Sequence, residues 1–137
     1  CRPTSNFTLV GASQVGKASL TGMRVLHRLD GRIALWPFDP LPDRGSVAVE
    51  IYTTIAAIAA GRPPGRSKIR SFAELNQSLQ ALDSAGVRGR GPIDDHRSDA
   101  LLAAAWLRTA AHRPEFWRPA AMTERIAQTE GWTFGAL

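Results

Sequence analysis

The chain has 137 residues, 44% hydrophobic and 21% charged, with a formal net charge of +5. That is one domain's worth of sequence, able to bury a single core, and it holds no run of about 18 apolar residues that would make a membrane-spanning helix. Its one cysteine, Cys1, excludes an intrachain disulfide or a multi-cysteine zinc site and fits a reducing, cytoplasmic setting.

The positive charge, much of it arginine, suits phosphate-rich partners through counterion release. An arginine-rich, high-GC genome gives the same balance. The chain opens CRPTSNF, with neither an initiator methionine nor a signal-peptide pattern. That predicts a fragment or a processed product.

Residues 1–12 read as an extended entry with a short strand at Phe7–Val10. From Ser13 to Leu29 the apolar residues Val15, Leu20, Met23, Leu26 and Leu29 recur every three to five positions, which predicts a helix. Ser13 would cap it and Gly31 would end it. The same start, GASQVGKASL, puts Gly11, Gly16 and Lys17 at the spacing of a phosphate-binding loop. Such a loop needs a Ser or Thr after the lysine to hold Mg²⁺. Ala18 stands there, and Ser19 lies about 100° further round the helix. The preceding FTLV is short and polar-flanked. The stretch therefore reads as the N-terminus of a packing helix. Gly16 and Gly22 would allow close approach, and Lys17 would be a phosphate-side charge at most.

RIALWPFD, interrupted at Pro37, predicts a buried strand, and DPLPDRGS a loop. Asp39, at the end of that strand, is a weak acidic candidate that turn formation before Pro40 also explains. VAVEIYT predicts a second strand with Glu50 inside it, followed by a short helix, TIAAIAAG. GRPPGRSKIR is a basic, proline-rich loop carrying Arg62, Arg66, Lys68 and Arg70. SFAELNQSLQALDSAG opens with a capping box, Ser71 with Glu74, and predicts a helix to about Ala85. VRGRGP is a basic turn. The strongest helix runs from Asp94 to His112; Pro114 and Pro119 then break the chain. The tail, ERIAQTEGWTFGAL, reads as a turn of helix and a short edge strand. Helices alternating with apolar strands predict an α/β fold with parallel strands. Two or three strands make a thin sheet, so part of a larger domain is expected to be missing.

The chemistry concentrates in DDHRSDALLAAAWL. Asp95 and Asp99 are four apart and share a helix face, as do His96 and Asp99. Carboxylates at a helix start, beside an acidic residue on a buried strand, can hold Mg²⁺ or Mn²⁺ through hard oxygen ligands. Glu50 is the natural strand partner, because a buried glutamate among apolar neighbours is costly without one. Each residue also has a plain explanation. Asp95 and Asp99 suit helix capping and the helix dipole. Glu50 suits a sheet edge or an arginine pair, and His96 suits a solvated helix surface. His27 and His112 have no partner in sequence, and the four tryptophans read as packing residues.

IALWPFD, VAVEIYTT, SDALLAAAWL and EGWTFG, with the order strand glutamate, short helix, basic loop, helix and D-H-x-x-D-A-L-x-A-A, resemble the RNase H-like nuclease superfamily. The match is closest to an uncharacterised bacterial and archaeal family of predicted RNase H-like nucleases, a domain of unknown function, and more distantly to Holliday-junction resolvases. The resemblance implies a three-layer α/β fold and metal-dependent hydrolysis of nucleic acid. Glu50 would match the family's strand glutamate and Asp99 the acidic residue of the last helix. Asp95 or His96 would match a second metal ligand. Arg62, Arg66, Lys68 and Arg70 would face nucleic acid. Thr53 stands where relatives often carry proline.

The superfamily's first strand, with its first catalytic aspartate, is not in this sequence. Residues 1–137 therefore read as the C-terminal portion of one RNase H-like domain, lacking the N-terminal strands and inactive as a lone chain. An exposed sheet edge would favour a homo-oligomer. Two alternatives stand beside the nuclease: a non-catalytic basic module that oligomerises or binds nucleic acid, with Arg62, Arg66, Lys68, Arg70, Arg88 and Arg90 contacting its phosphates, and a nucleotide binder using Lys17.

Overall fold

The computed structural model of the chain describes Val10, residues 15–65 and residues 68–137. The expected strand at Phe7–Val10 (except Val10, which sits in a bend), the Ser13 cap, Gly11 and Arg66 lie outside these residues. The chain divides into two compact units, Cys1–Ala48 and Val49–Leu137.

In the first unit, helix α1 spans Val15–Leu29. Asp30 and Gly31 take positive φ of 49° and 71° and end it. Arg32 then folds back, donating from Nε to the Leu29 carbonyl and from Nη2 to that of Arg28, at 3.0 and 2.8 Å. These bonds satisfy two of the helix's last free acceptors. Among the described residues Gly22 has no close neighbour, nothing lying within 4 Å of where its Cβ would stand. Leu20, Met23, Val25 and Leu26 are exposed.

Strands β1 (Ala34–Leu35) and β2 (Val47–Ala48) pair in parallel, Ala34 opposite Val47 and Leu35 opposite Ala48. Both are far shorter than the apolar runs suggest. After Leu35 the chain turns away, because Asp39 accepts the Leu35 N–H at 2.8 Å and donates its own N–H to the Leu35 carbonyl at 2.9 Å. Turn formation thus accounts for Asp39.

The second unit holds α2 (Thr53–Ala59), α3 (Phe72–Ala81), α4 (Asp95–Ala110), α5 (Pro114–Trp117) and α6 (Glu124–Thr129). Helix α4 packs against both α2 and α3. Ala56, Ala57, Leu75, Leu79, Leu102 and Trp106 are buried between them. At one end, Trp106 meets Phe116 and Phe134 with ring centroids 6.0 and 5.9 Å apart. The tail reaches this cluster without forming the expected strand: Phe134 donates its N–H to the Glu50 carbonyl at 2.8 Å. Gly135, at φ +88°, lies against Trp106 so closely that an added Cβ would sit 2.5 Å from the indole.

The caps follow from sequence with one shift. Ser71 Oγ accepts the Glu74 N–H, but the Glu74 carboxylate takes the N–H of Arg70 rather than that of Ser71. Helix α3 stops at Ala81, four residues early, where Asp83 adopts φ 51°. The expected break before Pro114 is present, since α4 ends at Ala110; Pro114 then opens a new helix, α5, in whose first turn its missing N–H costs nothing. Among the described residues the fold is α/β in the coarse sense, six helices with one two-stranded parallel sheet, and no helix is long and apolar enough to cross a membrane.

Candidate functional site

The N-terminal turns of α4 set the site. Asp94, rather than Asp95, is the N-cap, accepting the Arg97 N–H at 2.9 Å and pairing with the Arg97 guanidinium at 3.3 Å. Capping is thereby met one residue upstream, and the Asp95 and Asp99 side chains serve other contacts. Both line a shallow pocket of about 100 Å³, together with Lys68 and with Thr53, Thr54 and Ala57 of α2.

Asp95 is held by two cations. Lys68 Nζ donates to Oδ2 at 2.7 Å, and Arg70 Nη1 to Oδ1 at 3.3 Å. The Lys68 hydrogen bond holds the Asp95 carboxyl below its ordinary range. Partial burial opposes this, and the charges of Lys68, Arg70 and His96 reinforce it. Asp99 is more open: its Oδ2 accepts the Thr53 hydroxyl at 3.3 Å. Thr53 thus supplies a hydroxyl to the Asp99 carboxylate.

The basic loop divides by role. Arg62 turns inward, its side chain 19% exposed, and donates from Nη2 to the Lys68 carbonyl at 2.8 Å, with Glu74 at 4.0 Å. Among the described residues its buried Nε has no hydrogen-bond partner. Arg62 therefore shapes the loop from inside rather than facing nucleic acid. Lys68 and Arg70 are each 66% exposed but tied to Asp95.

Glu50 and His96 are not brought to this pocket. β2 ends at Ala48, so Glu50 lies in the exposed lead-in to α2 rather than inside a strand. Its buried-strand placement is corrected: Glu50 is exposed, and its main-chain carbonyl accepts the hydrogen bond from Phe134. His96 is exposed on the surface of α4. Lys17 is exposed within the first turn of α1. Among the described residues no three His, Cys, Asp or Glu side chains form a group suited to a metal ion.

Asp95 and Asp99 nonetheless offer carboxylate oxygens, the donor type that hard cations take. Mg²⁺ is commonly held by one or two carboxylates and keeps several waters. Among the described residues Asp99 offers a carboxylate engaged only by the Thr53 hydroxyl, whereas Asp95 would exchange a lysine or arginine contact for the ion. No family model matches the chain, and no curated protein or solved structure matches it.

Proposed function

We propose that this chain carries carboxylates of a Mg²⁺- or Mn²⁺-dependent nuclease of RNase H-like type, working in the cytoplasm, with Asp99 as the principal metal ligand and Asp95 as the second. One observation supports it above others: Asp95 and Asp99, one helical turn apart, open onto a single pocket with Lys68 and the Thr53 hydroxyl. A bound divalent ion would polarise a phosphoryl oxygen and make water a better nucleophile. The chain's own groups orient and neutralise. Thr53 fixes the Asp99 carboxylate, and Lys68, once released from Asp95, places a positive charge beside a phosphate. Glu50 and His96 have no part in this reading of the site.

A second reading, a non-catalytic module that binds nucleic acid, draws on a different observation. Both Asp95 oxygens are already held by cations. The two readings separate in a cleavage assay on labelled single-stranded and branched DNA in Mn²⁺, using the full-length protein. The nuclease reading expects cleavage that D99N abolishes. Cleavage unchanged in D99N overturns it.

A further inference from the structure

The segment between α3 and α4 is pinned at both ends. At Val87, the Asn76 side chain accepts the main-chain N–H at 2.8 Å and donates to the carbonyl at 3.1 Å. At the other end Ser71 and Pro92 form an antiparallel bridge. Phe72 donates to the Gly91 carbonyl at 3.2 Å and Ile93 to the Arg70 carbonyl at 3.1 Å. Midway, Gly89 packs so closely on Phe72 that an added Cβ would stand 2.3 Å from the ring. Its neighbours Arg88 and Arg90 are exposed, and neither has an ion pair or side-chain hydrogen bond among the described residues.

This arrangement is unlike the rest of the basic surface around the site. Arg62 is turned inward, Lys68 and Arg70 are tied to Asp95, and Arg97 is tied to Asp94. Arg88 and Arg90 flank the glycine that packs on Phe72, and both are exposed. In extended chain, residues two apart stand about 6.6 Å from one another. Guanidinium groups free of partners are strong, bidentate phosphate ligands. The segment leads through Ile93 and the Asp94 cap directly into Asp95.

We infer that Arg88 and Arg90 form a phosphate track that holds the sugar–phosphate backbone of a nucleic acid and delivers it to the α4 N-terminus. The inference rests on the reading that this chain meets nucleic acid, and it names the residues that make the first electrostatic contact. Pinning at Val87 and Pro92 lets the two side chains bind without ordering a loop, which keeps the entropic cost low.

The test is fluorescence anisotropy of a labelled oligonucleotide, single-stranded and as a duplex, across a salt series. R88Q/R90Q is compared with wild type and with R118Q/R125Q, which removes the same charge from exposed sites elsewhere. Each phosphate contact contributes about 0.7 to the salt slope for single strands and about 0.9 for duplex. The double variant should therefore lose about 1.4 from the slope on single strands or about 1.8 on duplex. The control pair should leave the slope at the wild-type value. A slope for R88Q/R90Q equal to wild type, or no wild-type binding at low salt, overturns the track. The cleavage assay with D99N is read separately: loss of cleavage there with an unchanged R88Q/R90Q slope removes the track and leaves the metal site standing.

Discussion

Replacing Gly135 by alanine should destabilise the second unit through two separable effects. The first is conformational. At φ +88° an L-residue is strained, by about 1–2 kcal/mol. The second is steric. The new methyl would stand 2.5 and 2.7 Å from the Trp106 ring atoms Cη2 and Cζ2 and 3.5 Å from Ile55 Cγ2. Trp106 is only 5% exposed and cannot swing away, being wedged against Phe116 and Phe134. Overpacking of that kind costs about 1–3 kcal/mol. Together the two give about 2–5 kcal/mol, a large share of the ~5–15 kcal/mol that holds a domain together. Thermal unfolding followed by circular dichroism should show Tm falling by about 8–20 °C, at ~4 °C per kcal/mol. Gly61 supplies the control, with φ +79° and nothing within 4 Å of its Cβ position. G61A should show only the conformational part. Equal Tm losses in G135A and G61A would refute the steric argument and with it the tight seating of the tail on α4.

Two further outcomes follow from the site. Because Lys68 and its neighbours lower the Asp95 pKa in the folded state, the ionised carboxylate stabilises the fold above the unfolded-chain value of about 3.9. That contribution is lost as pH falls through the lower folded value. The Tm difference between wild type and D95N should be constant near neutrality and close in acid; a difference that widens in acid would contradict the ion-pair assignment. R62A should cost about 1.5–3 kcal/mol by removing a charged hydrogen bond to the Lys68 carbonyl, while leaving the salt slope of nucleic-acid binding unchanged. A shallower slope in R62A would return Arg62 to the binding surface.

The helices were the legible part of the sequence, because their signals are local. The period of Val15 to Leu29, the Ser71–Glu74 box and the small-residue face after Asp99 each specify a helix within a few residues. The strands were not. VAVEIYT has the β-branched composition of a strand, yet only Val47 and Ala48 find a partner, and the chain enters α2 at Thr53. Glu50 therefore lies outside a strand and exposed, not as a buried carboxylate beside the helix. The Asp95–Asp99 pair was readable from four-residue spacing. Its partners Lys68 and Arg70 lie 27 and 25 positions away, and no local rule links them. The inward turn of Arg62 was hidden for the same reason. Pro114 both follows the end of α4 and starts α5; the short helix after it carries no periodic signal of its own.

The central claim is that Asp99 and Asp95 hold a divalent ion beside Lys68 and Thr53. Amide resonances of the ¹⁵N-labelled chain, titrated with Mn²⁺, test it directly, since paramagnetic broadening reports even weak binding by position. The account predicts that residues 53, 54, 68 and 95–99 broaden first and that D99N abolishes the pattern. Broadening that spares these residues, or that persists unchanged in D99N, would contradict it.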